Sequence, residues 1–245
     1  MKKDNIITYR VWGRRALFSD PINRIGGEKF SYQIPTYQSL VGITESIYWK
    51  PTIKWQILEC RVMNPIQTIT QAVKPLLMNK GGISNLAYYT YLSDVEYEVK
   101  AKMNWNNNRP ELKHDRDENK HYFMAKRALE RGGRRDVFLG TRECQAYIEP
   151  VEEQKKSHYE EIPQLSFGLQ FHSFVYPDDA VREEEKGYLT TLFWNPVMEN
   201  GIIHYPDPEA CKVRRRVRKM VGKEFKEGLN FTSIINEEVE NVLDK

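Results

Sequence analysis

A lysine and a histidine lie side by side where the sequence predicts the start of a helix. Lys120 and His121 follow acidic residues that could cap this helix, and the helical pattern ends at Gly132. The free N–H groups and the dipole at such a start favour an anion such as phosphate and disfavour a protonated histidine. A neutral imidazole that accepts a proton, beside a permanent positive charge, is what metal-free attack on a phosphodiester requires. The alternative is that both side chains belong to a solvated helix surface.

The composition predicts a globular protein with a substantial core. The chain has 245 residues, 40% of them apolar, which is enough for one large domain or two small ones. Its cysteines, Cys60, Cys144 and Cys211, have no paired spacing, so we expect neither a disulfide framework nor a zinc site. The odd cysteine count and the sequence's lack of a targeting or membrane-spanning apolar run predict a cytoplasmic protein without membrane partner, metal or cofactor.

Positive charge is concentrated in the first 150 residues and in one later segment. Residues 1–150 carry 24 basic and 16 acidic side chains, whereas residues 151–245 carry 13 and 18. Within this second part, residues 212–226 hold eight basic side chains and one acidic side chain. Such a distribution is typical of a protein that binds a polyanion. The alternative is a mosaic surface without a polyanionic partner.

Hydrophobic patterns predict the elements that must position Lys120 and His121. A first strand covers residues 6–13 and is followed by a basic loop. A first helix begins after Thr36, a good N-cap residue, and ends at Tyr48, because Pro51 prevents its continuation.

Two further strands, a second helix and a last strand complete a first domain at residues 1–150. The strands lie at residues 52–63 and 95–105, and we interpret the long excursion between them as an inserted hairpin. The helix with Lys120 follows, and residues 137–148 form the last strand. The order strand, helix, strand, strand, helix, strand predicts an α+β fold of the ferredoxin-like type, which the RRM also has.

The aromatic and histidine side chains within strands allow two interpretations. An RRM binds bases through aromatic residues on the open face of its sheet, but side chains on the other face pack against the helices. The packed position is the expectation for all of these aromatic residues: Tyr9, Trp55, Tyr97 and Trp105. His172 and His204 have no partner at motif spacing, so we interpret them as packed or edge histidines.

Residues 151–245 are predicted to form a smaller, mostly β domain. It begins with a linker or exposed loop, residues 151–163, and continues with short strands between residues 165 and 206. The basic run at residues 212–219 is either a solvated segment or an RNA contact. An amphipathic helix of unknown role is predicted from Asn230 onward.

Several long motifs follow one another in a family-specific order. They are residues 25–32, 35–37, 45–51, 119–122, 132–144 and 194–201. In this order they closely resemble the Cas5d family, the RAMP-superfamily subunit of subtype I-C CRISPR systems. The likeness covers most of residues 5–220 and leaves out the predicted C-terminal helix.

The resemblance implies an endoribonuclease of antiviral defence that cuts precursor CRISPR RNA within each repeat, at the base of its hairpin. The enzyme would stay bound to the 5′ handle in the surveillance complex. Cleavage would need no metal and would leave a 2′,3′-cyclic phosphate and a 5′-hydroxyl. The implied partners are precursor and mature CRISPR RNA and the other subunits of the type I-C complex. The family's catalytic tyrosine, lysine and histidine match Tyr48, Lys120 and His121.

The predicted fold also brings these three residues together, since the first helix ends and the second begins on one face of the sheet. We expect His121 or Tyr48 to take the proton of the ribose 2′-hydroxyl, while Lys120 neutralises charge on the scissile phosphate. The sequence leaves open which of the two is the base. The candidates for contacts with the RNA backbone are basic residues: Lys29, Lys50, Arg134, Arg135, Arg142, Arg214, Arg215 and Arg216.

The sequence leaves two other functions open. The chain could bind CRISPR RNA and cap the complex without cutting, in which case Tyr48, Lys120 and His121 would be contact or packing residues. It could also be a general RNA- or DNA-binding module of the RRM type. Such a module would show no preference for the repeat hairpin.

Overall fold

The computed structural model describes residues 4–20, 28–74, 86–153 and 155–221. Two α-helices are present in these ranges, α1 (Tyr37–Ile47) and α2 (Glu118–Glu130). The strands are β1 (Ile6–Ala16), β2 (Lys29–Phe30), β3 (Ile53–Val62), β4 (Gln67–Val73), β5 (Ala87–Trp105), β6 (Val137–Phe138), β7 (Gln145–Pro150), β8 (Leu165–Ser166), β9 (Gln170–Val175), β10 (Tyr188–Trp194), β11 (Val197–Glu199), β12 (Ile202–His204) and β13 (Val213–Lys219). Short 3₁₀ helices occur at Pro110–Asp115, Pro177–Asp179, Glu183–Glu185 and Pro208–Ala210.

A mostly antiparallel sheet with few helices gives the chain its α+β class. Its main path runs β6-β7-β1-β5-β3-β12-β11-β8, while β2 and β4 pair with β5. The strands that flank the two helices in sequence lie in the spatial order β7-β1-β5-β3, with every neighbouring pair antiparallel. Alternate side chains of these strands form one core with the apolar faces of α1 and α2.

Helix α1 forms as its sequence predicts. The Thr36 side chain accepts a hydrogen bond from the Ser39 N–H at 3.2 Å, which satisfies one of the free donors at the helix start. Leu40, Ile43 and Ile47 are buried along one face. The helix ends at Ile47, one residue earlier than predicted, and Tyr48 is its extended C-cap residue at the start of the loop that leads to β3.

Strand β5 is longer than the sequence predicts, with 19 residues. Its first part pairs with β4, in register from Gln67 opposite Ser93 to Val73 opposite Ala87. These two strands are the arms of the predicted inserted hairpin, and residues 75–85 between them lie outside the described residues.

The predicted last strand at residues 137–148 is wrong, because the segment forms the two strands β6 and β7. Val137 pairs with Ala146, and the Leu139 N–H donates to the Cys144 carbonyl at 2.8 Å across the turn. Gly140 has a φ of 95°, and a Cβ atom there would collide with the backbone of the loop after β1. A glycine that adopts the left-handed region turns the chain back at this point.

Residues 151–163 form a loop whose described side chains are mostly exposed, as predicted, but two of them hold the loop against the segment around β3. Ser157 is buried, and its hydroxyl donates to the Val62 carbonyl at 2.6 Å. The Tyr159 hydroxyl accepts a hydrogen bond from the Ile66 N–H at 2.7 Å. Strand β12 pairs with β3, so residues beyond 150 extend the main sheet. The boundary of independent folding at residue 150 stays a prediction.

Within the described residues, the chain forms two compact units. The larger comprises residues 4–174 and 191–215, and the smaller comprises residues 175–190 and 216–221. The basic run at 212–219 is not an irregular segment, since most of it forms β13. The predicted C-terminal helix lies outside the described residues. None of the described helices is long and apolar enough to cross a membrane.

Candidate active site

Tyr48 and His121 are joined by a buried hydrogen bond. The Tyr48 Oη lies 2.8 Å from the His121 Nδ1, and the two rings have centroids 6.0 Å apart. His121 is 0% exposed and Tyr48 is 2% exposed. Trp105 packs against the imidazole in a T-shaped arrangement with ring centroids 5.7 Å apart, so protein atoms enclose His121. The family-matched tyrosine and histidine therefore meet, as the predicted fold requires.

The contact that the His121 Nε2 makes shows whether Tyr48 Oη or His121 Nδ1 is the donor of their hydrogen bond. Its Nε2 lies 2.7 Å from the backbone carbonyl oxygen of Asp115, which can only accept a hydrogen bond. Nε2 therefore carries the proton of the neutral imidazole, and Nδ1 is the acceptor. It follows that the Tyr48 hydroxyl donates its proton to Nδ1, and that His121 is the basic end of this pair.

The Asp115 carboxylate connects His121 to Lys120. Asp115 Oδ1 lies 2.6 Å from the Lys120 Nζ, and Oδ2 accepts from the Thr52 hydroxyl at 2.8 Å and lies 3.3 Å from the His121 Nε2. Hydrogen bonds from Lys120 and Thr52 lower the pKa of Asp115 to about 2. An ionised carboxylate beside Nε2 would stabilise an imidazolium formed at His121.

The anion site predicted at the start of α2 is filled by the protein itself, which corrects the expectation of free N–H groups there. The Asp117 side chain accepts from the Lys120 N–H at 3.1 Å and caps the helix. The Lys120 side chain is half exposed and bound to Asp115. Lys120 is thus at the Nε2 end of His121, and Tyr48 is at the Nδ1 end.

Local backbone contacts fix Tyr48 at the end of α1. The Tyr48 N–H donates to the Thr44 carbonyl at 3.2 Å, and the Tyr48 carbonyl accepts from the Trp55 indole at 2.7 Å. The Arg134 N–H donates to the carbonyls of Ser46 and Ile47 at 3.1 and 3.2 Å. The loop after α2 therefore caps α1 and brings an arginine beside the tyrosine.

A basic cleft of about 370 Å³ opens at the tyrosine end of the pair. Four of its lining residues carry positive charge, Lys50, Arg127, Arg131 and Arg134, which together can hold the phosphates of a polyanion. Burial raises the pKa of the Tyr48 hydroxyl, the Asp115 carboxylate raises it further, and Arg134 opposes both. Tyr48 is therefore protonated at neutral pH and acts as a donor.

The other basic candidates have different surroundings. Lys29 lies 3.8 Å from a Glu143 carboxylate and packs over the Tyr89 ring. Arg135 lies near Glu45. Burial raises the pKa of the Glu45 carboxyl, and the positive charge of Arg135 partly opposes this shift.

The remaining arginine candidates lie on the surface or next to acidic residues. Arg142 is exposed on the β6–β7 turn. Arg214 lies 3.3 Å from a Glu209 carboxylate, Arg215 is exposed on β13, and Arg216 packs over the Tyr188 ring. The structure thus brings Lys50 and Arg134 together with Tyr48 in one cleft.

A comparison with known families places this site in context. A family model described as a CRISPR-associated protein, Cas_Cas5, matches residues 6–206. The chain belongs to the Cas5d family. Two relatives called CRISPR pre-crRNA endoribonuclease Cas5d are similar to it. The one from Thermus thermophilus is 27% identical over 80% of this chain and 90% of its own length. The one from Mannheimia succiniciproducens is 26% identical over 86% and 99%.

Solved structures also resemble this Cas5d chain. A crystal structure of a CRISPR-associated protein has a TM-score of 0.72 and 35% identity, and covers 88% of this chain and 98% of its own. A functionally uncharacterized protein from Streptococcus mutans, SMU1763c, has a TM-score of 0.71 and 36% identity, with 88% and 99% covered. The fold of this chain is therefore that of CRISPR-associated proteins.

Three site residues are missing from the sequence-based set. The sequence marks Asp115 only as one of the acidic residues before the helix, because its contacts with His121 depend on the turn before α2. Arg127 and Arg131 line the cleft with Met124 and Ala128. These four residues follow a spacing of three and four along α2, which is the signal that could have revealed a shared helix face.

Proposed function

We propose that this Cas5d chain is an endoribonuclease that cuts precursor CRISPR RNA within each repeat and then holds the 5′ handle in the type I-C surveillance complex. The observation that carries the proposal is the buried hydrogen bond from Tyr48 to His121 at the wall of a basic cleft. Its relatives in T. thermophilus and M. succiniciproducens are called pre-crRNA endoribonucleases, which supports the same activity here. The precursor and mature RNA and the other subunits of the complex are its partners.

We further propose a ferredoxin-like frame for the site. The antiparallel strand order β7-β1-β5-β3, with α1 between β1 and β3 and α2 between β5 and β7, supports it. In this frame the end of α1 and the start of α2 lie over the same sheet face, which accounts for the contact between Tyr48 and His121.

The chemical step is a proton relay. As the 2′-hydroxyl of the ribose loses its proton to the Tyr48 Oη, the tyrosine passes its own proton to the His121 Nδ1. The 2′ oxygen forms a bond to phosphorus, and the bond from phosphorus to the 5′ oxygen breaks. The 5′ oxygen takes a proton from solvent water, and the His121 imidazolium returns its proton to solvent through the Tyr48 hydroxyl. The products are a 2′,3′-cyclic phosphate and a 5′-hydroxyl, and the relay is restored. No metal is needed, because the relay and the cleft cations supply the base and the positive charge.

The geometry supports a division of labour between the two residues. His121 is fully buried, so it acts on RNA through Tyr48, whose ring reaches the cleft. The imidazolium that forms at His121 is stabilised by the carbonyl and the carboxylate of Asp115. A tyrosine with a raised pKa is a poor base by itself, and the histidine behind it removes that difficulty.

Positive charge for the RNA backbone is available at both ends of the relay. Lys50 and Arg134 line the cleft beside Tyr48 and are placed to hold phosphates on either side of the cut. The Lys120 ammonium has three donors, so it can bind a phosphate oxygen while it keeps its contact with Asp115. This dual contact is the role that we assign to Lys120.

Cleavage of a repeat hairpin by the purified protein tests the proposal. We expect a 5′-hydroxyl product in the presence of chelator, and no product when the nucleotide 5′ of the cut lacks its 2′-hydroxyl. Tight binding of the hairpin without cleavage would instead identify a non-catalytic capping subunit. Equal binding of unrelated RNA would identify a general RNA-binding module.

A further inference from the structure

Three neighbouring clefts of the larger unit share lining residues, and the row that they form is called the groove. The cleft beside Tyr48 shares Arg131 and Arg134 with a second cleft of about 330 Å³ between the α2–β6 loop and β7. This second cleft shares Gln145 and Tyr147 with a third, also of about 330 Å³, on the outer side of β1 and β7. The groove therefore leads from the proposed relay across β7 to the sheet face opposite the helices.

The far end of the groove carries an aromatic platform. Tyr147 is 59% exposed on β7, and it lies directly opposite Trp12 of β1 in the strand register. The two ring centroids are 5.9 Å apart, so Trp12 supports the tyrosine ring from one side. An exposed, supported ring on an open sheet face is a surface on which a nucleobase can stack.

The charges along the groove favour a nucleic acid strand over a protein segment. Arg131, Arg134 and Arg135 are exposed along its middle part and outnumber the one acidic residue there, Asp136, and Arg14 lines its far end beside Tyr147. Glu143 also lines the far end, but Lys29 lies 3.8 Å from its carboxylate and offsets that charge. A row of arginines that ends at a stacking ring matches a backbone that carries a phosphate on every nucleotide.

We propose that single-stranded RNA next to the cut runs along this groove, and that one unpaired base stacks on Tyr147. Gln145, on the same face of β7, offers an amide to the edge of that base, and Arg14 offers its guanidinium to the adjacent phosphate. The inference rests on the proposed function for the identity of the RNA. It adds a base-binding site on the sheet face opposite the relay.

An abasic scan of the flank tests the site. The probe is a repeat hairpin with a single-stranded flank, made uncleavable by a 2′-deoxy nucleotide at the cut, with one base removed at each flank position in turn. We expect one abasic position to weaken binding to the wild type about tenfold. Removal of the base at that position should not change the affinity of Tyr147→Ala for the RNA. It should weaken binding to Tyr147→Phe as much as to the wild type, because stacking needs the ring and not the hydroxyl.

An exposed tyrosine outside the three linings provides the matched control. Tyr88 is 46% exposed on β5, and Tyr88→Ala should keep the wild-type response to every abasic RNA. The proposal is overturned if no abasic position affects the wild type, or if Tyr147→Ala responds to all of them as the wild type does. Cleavage of unmodified RNA is measured separately at saturating enzyme. A wild type that binds but never cuts would refute the proposed function, while the scan would still decide the stacking site.

Discussion

The Tyr48 hydroxyl donates its proton to His121 at 2.8 Å, and the histidine is closed off from solvent. In the proposed mechanism the tyrosine, which lines the cleft, meets the RNA, and the histidine is a base that works through it. The buried position also protects the imidazole from competing contacts with water. The consequences can be tested one residue at a time.

Removing the Tyr48 hydroxyl should abolish the relay without weakening RNA binding. We expect Tyr48→Phe to lower the single-turnover cleavage rate by a factor of about 10² to 10⁴, because the 2′-hydroxyl loses its proton acceptor. The Kd for the repeat hairpin should change by less than about threefold, since the cleft cations remain. Tyr9→Phe is the matched control, because Tyr9 also loses a buried hydroxyl bond, to Thr44 at 2.8 Å. It should cut at the wild-type rate.

Neutralising Asp115 should slow cleavage through His121. Asp115→Asn keeps the backbone carbonyl that binds Nε2 but removes the carboxylate that stabilises the imidazolium. We expect the single-turnover rate to fall about tenfold, which corresponds to about 1.4 kcal/mol of transition-state stabilisation. Asp117→Asn changes a carboxylate two residues away and keeps the helix cap, so it should have little effect. Equal losses in the two variants would show that general charge, and not the contact with His121, matters.

The side chain of Arg134 should contribute to RNA binding through its charge alone. Arg134→Ala removes a cation that lines the cleft beside Tyr48. We expect weaker binding of every RNA tested and a reduction of about one in the slope of log K against log salt. Lys156→Ala, which removes a surface cation paired with Glu161 at 2.9 Å, should leave the slope unchanged. Binding titrations between low and moderate salt measure both slopes.

A second buried histidine should make the fold sensitive to acid. His172 is 0% exposed, stacks on Tyr37 at 4.3 Å and binds the Pro206 carbonyl at 3.2 Å. Burial lowers the pKa of His172 to about 4, although the Pro206 carbonyl and Asp207 oppose the shift. Since the folded-state pKa lies below the unfolded value, its contribution to stability is complete above about pH 6.5 and is lost as pH falls towards 4.

An NMR titration of the His172 imidazole measures this pKa directly, with the midpoint expected near pH 4. Urea unfolding should show that His172→Gln loses less stability than the wild type between pH 7 and pH 4.5. An imidazole already protonated at pH 6 would contradict the account of its burial.

The sequence predicts the parts of the site that depend on local pattern. The Thr36 cap, the end of α1 to within one residue of the predicted Tyr48, and the helix that carries Lys120 and His121 all follow from capping residues and helical spacing. His172 is packed, as its lack of a motif partner predicts. These features are set by neighbours within a few turns of chain, which is the information that a single sequence contains.

The contacts that depend on irregular turns or on long-range packing could not be predicted in the same way. The Asp115 carbonyl meets His121 because of a 3₁₀ turn before α2, and nothing in the residue types marks that carbonyl. The burial of Ser157 depends on a partner 95 residues earlier in the chain. The split of the last strand at Gly140 depends on a backbone that passes close to this glycine after β1.

The most direct test of the account is a double-mutant cycle on Tyr48 and His121, read by single-turnover cleavage of the repeat hairpin at saturating enzyme. Tyr48→Phe removes the donor, and His121→Asn keeps a hydrogen-bond acceptor but cannot take a proton. Because both residues serve one proton transfer, the double variant should be no slower than the slower single variant, within about twofold. A double variant whose rate loss equals the product of the two single losses would contradict the relay.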